Sequence, residues 1–279
     1  MQTMTEVQRI AAFADGQRGG NPAGVVIGDS LPEPAEMQAV AAEVGYSETV
    51  FAARQGDRWR VRYFAPAIEV DFCGHATIAL GAALAAREGD GVFPLQLNQT
   101  QITVEGRVAG KGMEAALQSP STWSRAANPE LVREALTLFG WTPADLDARI
   151  PPALAHGGAN HLVLALTSRE RLAGMRYDFA AGEELARRAE LTTFSLIFAE
   201  SAQRFHARNP FPAGGIYEDP ATGAGAAALA GYLRDLGWMR TGEIEILQGS
   251  DMGSPSRLRA EWTAEPGASI RVSGAARWI

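Results

Sequence analysis

The sequence predicts an α+β fold of two pseudo-symmetric domains, each a curled and mostly antiparallel sheet around a central helix. Three observations support this prediction. The chain has 279 residues, a length that suits about two domains. One order of helices and strands occurs twice, at an offset of about 145 residues. Each copy ends in an Ala-rich helix that follows a tight turn and has strands on either side of it in the sequence.

In the first half, apolar segments predict strands over residues 7–13 and 23–27, separated by a turn that contains Asn21. Apolar residues at helical spacing then predict a helix over 32–44, which Gly45 ends. Residues 48–54 and 58–65 are predicted to pair as a hairpin. An Ala-rich helix is expected over 75–88, and short strands continue to about residue 117.

The second half repeats this order. Helices are expected over 129–139, 179–190 and 220–236, and strands over 161–166, 192–199 and 203–208. Residues 119–129 have the composition of a linker. We therefore expect an N-terminal half over 1–118 and a C-terminal half over 119–267, with 268–279 as a strand that would complete the first half.

Composition and charge exclude several classes of function. The net charge of -7 and pI near 5.2 argue against nucleic acid as a partner, because binding to phosphate backbones depends on clustered Lys and Arg. The sequence shows neither a secretory leader nor an apolar stretch of membrane-spanning length. We expect a cytoplasmic protein with no membrane partner.

Cysteine and histidine usage argues against a metal site. Cys73 is the single cysteine, so multi-thiolate sites are excluded. The four histidines lack the helical i,i+4 pairing that zinc enzymes use. There is also no convincing Gly-rich dinucleotide fingerprint. We expect no metal and no cofactor.

Two matched turns are the candidates for chemistry. They read Cys-Gly-His-Ala-Thr over 73–77 and Glu-Asp-Pro-Ala-Thr-Gly over 218–223, and each leads into an Ala-rich helix. The first N–H groups of a helix are unpaired and carry the positive end of its dipole, so they bind anions. The small residues Gly74, Ala76, Ala221 and Gly223 would let a ligand approach the backbone. A small carboxylate-bearing metabolite suits such a site.

Glu48, His75 and Asp219 form a plausible set for proton transfer. A carboxylate in a closed apolar cleft has a raised pKa, which suits a general acid or base near neutral pH. The second half has Thr193 near the position that Glu48 occupies in the first. Structural roles are the alternative: Glu48 an exposed charge at a strand end, His75 a helix-start residue bonded to backbone, Asp219 an N-cap, and Cys73 a small buried apolar residue.

The chain resembles the PhzF family of phenazine-biosynthesis-like isomerases, which share the diaminopimelate epimerase-like fold. Ordered motifs along nearly the whole chain carry the likeness. They are Gly20-Asn21-Pro22-Ala23-Gly24, Ser47-Glu48-Thr49, Arg62-Tyr63-Phe64-Ala65-Pro66 with Glu69, Phe72-Cys73-Gly74-His75-Ala76-Thr77, Glu218-Asp219-Pro220-Ala221-Thr222-Gly223, Gln248-Gly249 and Val272-Ser273-Gly274-Ala275.

The resemblance implies a homodimer whose active site lies between the two halves of each chain. It implies that Glu48 shuttles a proton and that His75 and Asp219 assist. The expected reaction is a cofactor-independent 1,3-hydrogen shift or double-bond isomerisation. The residues expected to bind the substrate are Asn21, Cys73, Gly74, Ala76, Ala221, Thr222 and Gly223.

Two departures from the family pattern affect the anion contacts. Ala224 stands where the family often has serine, and Ser254 where it commonly has arginine. The related epimerases use one cysteine from each half, and a single Cys73 excludes that mechanism by count. The alternative functions are an epimerase or racemase of another kind, and a metabolite-binding protein that has lost turnover.

Overall fold

The computed structural model of the chain describes residues 6–110 and 112–279. Backbone contacts divide these residues into two compact units. The first comprises the described residues up to Gln118 together with Ser273–Ile279, and the second comprises Ser119–Val272. Across the described ranges, no helix combines the length and apolarity that crossing a membrane requires.

The first unit contains eight strands and two helices before the unit boundary. They are β1 (Gln8–Ala12), β2 (Asn21–Gly28), α1 (Pro34–Val44), β3 (Glu48–Gln55), β4 (Arg58–Phe64), β5 (Glu69–Val70), α2 (Gly74–Glu88), β6 (Gly91–Gln96), β7 (Gln101–Ala109) and β8 (Gly112–Gln118).

The second unit contains another eight strands and four helices. They are β9 (Trp123–Ala126), α3 (Pro129–Phe139), β10 (Ala153–His156), β11 (Asn160–Ala165), α4 (Arg169–Ala173), α5 (Phe179–Arg188), β12 (Thr193–Ala199), β13 (Arg204–Phe211), β14 (Ile216–Asp219), α6 (Gly223–Asp235), β15 (Gly242–Gln248) and β16 (Ser256–Trp262). A final strand, β17 (Arg271–Trp278), follows and belongs to the first unit from Ser273 onward.

Most strand pairs in the first unit are antiparallel. β1 pairs with β2 and with the end of β17, β3 with β4, β4 with β5, β6 with β7 and β7 with β8. The pairs β2–β3 and β4–β6 are parallel. Helix α2 packs against six of these strands, and its residues from Gly74 to Ala85 are all buried. It is the central helix of this unit.

The second unit repeats the same pairings within itself. β10–β11, β12–β13, β13–β14 and β15–β16 are antiparallel, whereas β11–β12 and β13–β15 are parallel. Its central helix α6 is buried from Gly223 to Arg234. Helices α3 and α5 contribute to a separate apolar cluster around Phe139 and Phe194. The internal repeat predicted from the sequence is confirmed in order and in pairing.

Two details of the prediction were wrong. Residues 119–129 are not simply a linker, because β9 lies inside this segment and pairs with β10. The second central helix begins at Gly223 rather than at residue 220. Pro220 suggested a helix start, since proline suits the first helical position. Thr222, however, is still extended, with φ -109 and ψ 91.

A close approach of backbone to backbone sets the position of α2 on its sheet. A Cβ added at Gly106 on β7 would lie 2.0 Å from the carbonyl oxygen of Gly81 in α2. Real Cβ atoms do not approach a carbonyl this closely, so the helix can lie at its observed depth only while residue 106 is glycine.

We predict that Gly106→Ala destabilises the protein by about 1–3 kcal/mol or more, because overpacking a close contact forces backbone shifts. Gly91→Ala is a matched control: Gly91 is the cross-strand partner of Gly106, and a Cβ there would make only ordinary contacts with Phe93. The control should change the free energy of unfolding by about 0.5 kcal/mol or less. Urea unfolding measures both, and equal effects would contradict the packing argument.

Candidate active site

Glu48 and His75 meet in the first unit. Glu48 is the first residue of β3, and His75 lies in the first turn of α2. Their side chains approach to 3.5 Å between the glutamate Oε2 and the imidazole Nε2. Glu48 is 8% exposed and His75 4%. The alternative that Glu48 is an exposed charge at a strand end is therefore wrong.

Cys73 and Ser47 complete the surroundings of the imidazole. The Cys73 Sγ lies 3.3 Å from His75 Nδ1, and the Ser47 hydroxyl lies 3.4 Å from His75 Nε2. Cys73 is also buried. The ring of His75 thus lies between a thiol on one side and a carboxylate on the other, close enough to both to hold or pass a proton.

Burial lowers the pKa of His75 below its ordinary value. The charge of Glu48 and a hydrogen bond to the backbone of Pro22 act in the opposite direction, but they do not outweigh the loss of water. His75 is therefore a neutral imidazole at pH 7. Glu48 faces a ring that can donate or accept one proton without carrying a permanent charge.

Glu48, Cys73 and His75 also form a group of potential metal ligands, the one such group found among the described residues. One ligand atom from each lies within 4.8 Å of the others. However, Cys73 faces one ring nitrogen of His75 and Glu48 faces the other. A single ion can bond only one of these nitrogens at a time, so the arrangement suits a proton-conducting chain better than a shared ion.

The start of α2 presents backbone donors beside this cluster. The first helical hydrogen bond runs from the Thr77 N–H to the Cys73 carbonyl at 3.0 Å. The amides of Gly74, His75 and Ala76 therefore have no acceptor within the helix. The Thr77 hydroxyl also donates to the Cys73 carbonyl, and Tyr63 lies 2.7 Å from that hydroxyl. These bonds fix the turn from which the amides project.

In the second unit, Asp219 is the last residue of β14 and is buried. It accepts a hydrogen bond from the Thr222 hydroxyl at 2.5 Å. Gln248 closes this turn: its Nε2 donates to the Asp219 carbonyl at 2.7 Å, and its Oε1 accepts from the Thr222 N–H at 3.2 Å. Asp219 is not the N-cap of α6, because Thr222 occupies that position.

The amides at the start of α6 differ by a few residues from those expected. The Ala226 N–H bonds to the Thr222 carbonyl at 2.9 Å, so the amides without an intrahelical acceptor are those of Gly223, Ala224 and Gly225. Ala221 precedes the helix, and the Thr222 N–H is already bound by Gln248. Of the three residues expected to bind an anion here, Gly223 alone offers an amide in the first turn.

A buried polar chain occupies the place in the second unit that Glu48 holds in the first. Thr193 begins β12 as Glu48 begins β3, and it donates to the Asn209 Oδ1 at 3.1 Å. Since its one hydrogen is used, its oxygen accepts from His161 Nδ1 at 2.8 Å. The Nε2 of His161 is then an acceptor, and it has no hydrogen-bonding partner among the described residues.

The structure brings some of the predicted site residues together, and the prediction left other neighbours out. Asn21 is buried at the start of β2, two residues before Ala23, which pairs with Glu48. Glu48, Cys73 and His75 come together as a cluster. The prediction did not place Gln248 against the second turn, and it did not include the hydrogen-bonded chain from His161 to Asn209. The signal at His161 was a histidine beside the apolar run 162–165, whereas Gln248 gave none, because its strand also contains Glu243 and Glu245.

Each unit is a sheet around a buried helix, and one of the two helices begins beside a carboxylate, an imidazole and a thiol. These features define an α+β protein of the epimerase-like fold class. The chain belongs to the PhzC-PhzF family of phenazine biosynthesis-like proteins, whose family model matches residues 10–279. The resemblance seen in the sequence is thereby confirmed.

Two curated relatives share about a third of their residues with the chain. An uncharacterised isomerase of Deinococcus radiodurans is 34% identical over 272 residues, which is 92% of this chain and 87% of the relative. The trans-2,3-dihydro-3-hydroxyanthranilate isomerase of Pseudomonas fluorescens is 32% identical over 277 residues, covering 95% and 94%. The chain is accordingly an isomerase of this family.

A solved structure confirms the predicted fold class. The phenazine biosynthesis protein of the PhzF family from Bacillus anthracis superposes with a TM-score of 0.85 at 22% identity, covering 99% of this chain and 97% of that one. At this level of identity the likeness concerns the fold alone.

The buried imidazole of His161 makes folding depend on pH. Loss of water, and next the charge of His156, lower the pKa of His161 to about 3, whereas an unfolded histidine has a pKa of about 6.5. Between these values the unfolded chain binds a proton that the folded chain does not. The free energy of unfolding is therefore independent of His161 protonation above about pH 6.5. It decreases as the pH falls below this value, because the unfolded chain gains a proton there.

We predict that the free energy of unfolding decreases between pH 6 and pH 5 more steeply in the wild type than in His161→Asn. The asparagine keeps a donor toward Thr193 but does not titrate. The difference in slope should be about 1.4 kcal/mol per pH unit, which corresponds to one proton. Chemical unfolding at several pH values measures it, and equal slopes would show that His161 does not have its pKa lowered by burial.

Proposed function

We propose that the protein is a cofactor-independent isomerase in which Glu48 moves a proton between two carbons of a small unsaturated carboxylate. The observation that carries this proposal is the buried contact between Glu48 and His75 at the start of α2. A buried carboxylate beside a neutral imidazole supplies the two groups that general acid–base catalysis commonly uses.

In the proposed reaction, the Glu48 carboxylate takes a proton from a carbon next to a double bond or carbonyl group. The electrons of the C–H bond shift into the unsaturated system, and a new double bond forms there. The protonated Glu48 then returns the proton two carbons away, which restores the carboxylate. Atoms and charge balance without a further reactant, and such a step contributes about 10²–10⁴-fold to the rate.

His75 and Asp219 assist in this proposal. As a neutral imidazole between Glu48 and Cys73, His75 orients the carboxylate and can hold a proton during the transfer. Asp219 is held by Thr222 and Gln248 in one orientation, which suits a group that positions a polar substituent of the substrate.

Backbone amides are proposed to bind the substrate carboxylate. The first turns of α2 and α6 each present amides without intrahelical acceptors, and most of the residues there have small side chains. Gly74, Ala76 and Gly223 therefore remain the proposed binding residues, now joined by the amides of Ala224 and Gly225. Ala224 offers its amide without the hydroxyl that a serine would add.

The relative from Pseudomonas fluorescens is named for its action on trans-2,3-dihydro-3-hydroxyanthranilate. This compound class combines a carboxylate with a cyclic unsaturated carbon skeleton that a proton shift can rearrange. We propose substrates of this class, and trans-2,3-dihydro-3-hydroxyanthranilate is the first compound to assay.

The proposal is tested by isotope exchange. In D₂O, the wild type should place deuterium at one carbon of the product, because the proton on Glu48 exchanges with solvent. Glu48→Gln removes the base without changing the shape of the side chain, and it should lower turnover and labelling by about 10²-fold or more. Mass spectrometry and NMR of the product measure both.

The control is Glu88→Gln, a substitution of the same kind on α2 at a residue paired with Arg54 away from the cluster. It should turn over and label like the wild type. Equal labelling in Glu48→Gln and Glu88→Gln would refute Glu48 as the proton carrier. Binding of the compound by the wild type with no turnover and no labelling would refute the proposed reaction on this class of substrate.

Cys73 provides a second test, since a thiol could carry the proton instead. In the proposed mechanism Cys73 only contacts the far side of His75. Cys73→Ala should therefore keep deuterium incorporation, with a loss in kcat of about tenfold at most. Complete loss of labelling in Cys73→Ala, with labelling retained in Glu48→Gln, would favour an epimerase-like thiol mechanism.

A further inference from the structure

The two units share an Arg–Glu side-chain pair close to each turn. In the first unit, Arg62 on β4 faces Glu69 on β5. Its Nε donates to Glu69 Oε1 at 2.7 Å and its Nη2 to Glu69 Oε2 at 2.6 Å. Asn98 donates to the same carboxylate at 2.7 Å. This two-bond geometry fixes the direction of both side chains as well as their distance.

The second unit contains the same arrangement in a buried setting. Arg208 on β13 donates through Nε to Glu218 Oε1 at 2.9 Å and through Nη2 to Glu218 Oε2 at 2.5 Å. Its remaining nitrogen donates to the Ala173 carbonyl at 2.8 Å. The side chains of Arg208 and Glu218 are only 8% and 3% exposed.

The two pairs occupy equivalent places in the repeat. Each arginine lies on the strand that precedes the turn, and each glutamate lies on the short strand that leads into it. The helix starts that follow have diverged, from Cys73-Gly74-His75 at α2 to Thr222-Gly223-Ala224 at α6, and yet both units keep the pair. An exposed ion pair contributes little to stability, and a buried one has a desolvation cost. A contribution to stability therefore explains poorly why both units contain an Arg–Glu pair.

In the second unit, the pair contributes to fixing the strand that carries Asp219. Successive side chains of a strand face opposite sides of the sheet. Glu218 and Asp219 are neighbours on β14, and Arg208 and Asn209 are neighbours on β13. Asn209 pairs with Asp219 across the strands, but the register shifts between Asn209 and Phe211. Because of this irregularity, backbone hydrogen bonds alone define the register of β14 weakly. The Arg208–Glu218 pair, on the other face of the two strands from Asn209 and Asp219, fixes that register.

In the first unit, the pair holds the segment that leads to Cys73. β5 is only two residues long, so backbone pairing defines its position weakly. Arg62 fixes Glu69 on one face of β4. The next residue, Tyr63, contacts Thr77 on the other face, and Thr77 donates to the Cys73 carbonyl. Both ends of the turn that carries Cys73 and His75 are thus tied to neighbouring positions of one strand.

We propose that Arg62–Glu69 and Arg208–Glu218 are positioning pairs, which hold the turns over 73–75 and 219–223 in the orientation that the reaction requires. The kinetic effects expected of these pairs rest on the proposed function. The proposal predicts different effects for the two pairs. The first should act on proton transfer through His75, and the second on substrate binding through the turn that contains Asp219.

The first pair can be tested without any substrate, because Cys73 is the single cysteine of the chain and is buried in the turn. In Glu69→Gln one carboxylate oxygen and the charge are lost, so the turn should open locally. Alkylation of Cys73 by iodoacetamide should become about tenfold faster or more, with the midpoint of global unfolding little changed.

The matched control is Glu114→Gln, which removes an Arg–Glu pair between β7 and β8 of the same unit. It should leave the alkylation rate at the wild-type value. Equal rates for Glu69→Gln, Glu114→Gln and wild type would overturn the positioning role of the first pair. Arg62→Lys keeps the charge but not the two-bond geometry, and it should resemble Glu69→Gln rather than the wild type.

The kinetic test separates positioning from a structural role. Glu69→Gln should lower kcat by about 10- to 100-fold with KM within about threefold, because a small misplacement of a catalytic group costs this much. Glu218→Gln should instead raise KM by about tenfold or more. If Glu218→Gln does not fold, Arg208→Met/Glu218→Leu replaces it, since apolar substitution of a buried pair commonly preserves stability.

The two proposals fail in different ways. Wild-type kcat and KM in folded variants of both pairs, with Glu48→Gln inactive, would overturn the positioning role and leave the proposed function intact. Full activity of Glu48→Gln would overturn the proposed function. The alkylation rates would still decide whether Arg62–Glu69 holds the turn.

Discussion

The contact between the Glu48 carboxylate and the His75 imidazole is the constraint on which the site depends. It joins the start of a strand to the start of a buried helix, and both groups are almost fully removed from solvent. Burial keeps the imidazole neutral, while the carboxylate opposes this effect. The helix must therefore lie at one depth and one rotation, which the close approach of Gly81 and Gly106 allows.

Duplication and divergence explain how one fold holds two different turns. Both units keep the strand pairings, the buried helix, a threonine in the turn and an Arg–Glu pair. They differ where chemistry is proposed: Glu48 corresponds to Thr193, and the thiol and imidazole of the first turn have no counterpart in the second. A shared scaffold with unlike side chains suits the directional proton transfer that we propose for Glu48.

Much of the fold could be predicted from the sequence, because apolar periodicity and the internal repeat are local signals. The grouping of Glu48 with His75 was proposed from the residues with structural roles left open, and the motifs of the family strengthened it. The β9 strand was missed because Trp123 is stabilised by a distant partner, His156. The start of α6 was misplaced because Gln248, 26 residues away, binds the Thr222 N–H. Such contacts between distant residues leave no periodic trace in the sequence.

The most direct test of the central contact is the titration of His75 by ¹⁵N NMR of the imidazole, in the wild type and in Glu48→Gln. Because the charge of Glu48 raises the pKa of His75 against the effect of burial, removing that charge should lower the pKa of His75 further. An unchanged or higher pKa in the variant would show that an ionised Glu48 does not face His75, and would contradict the account.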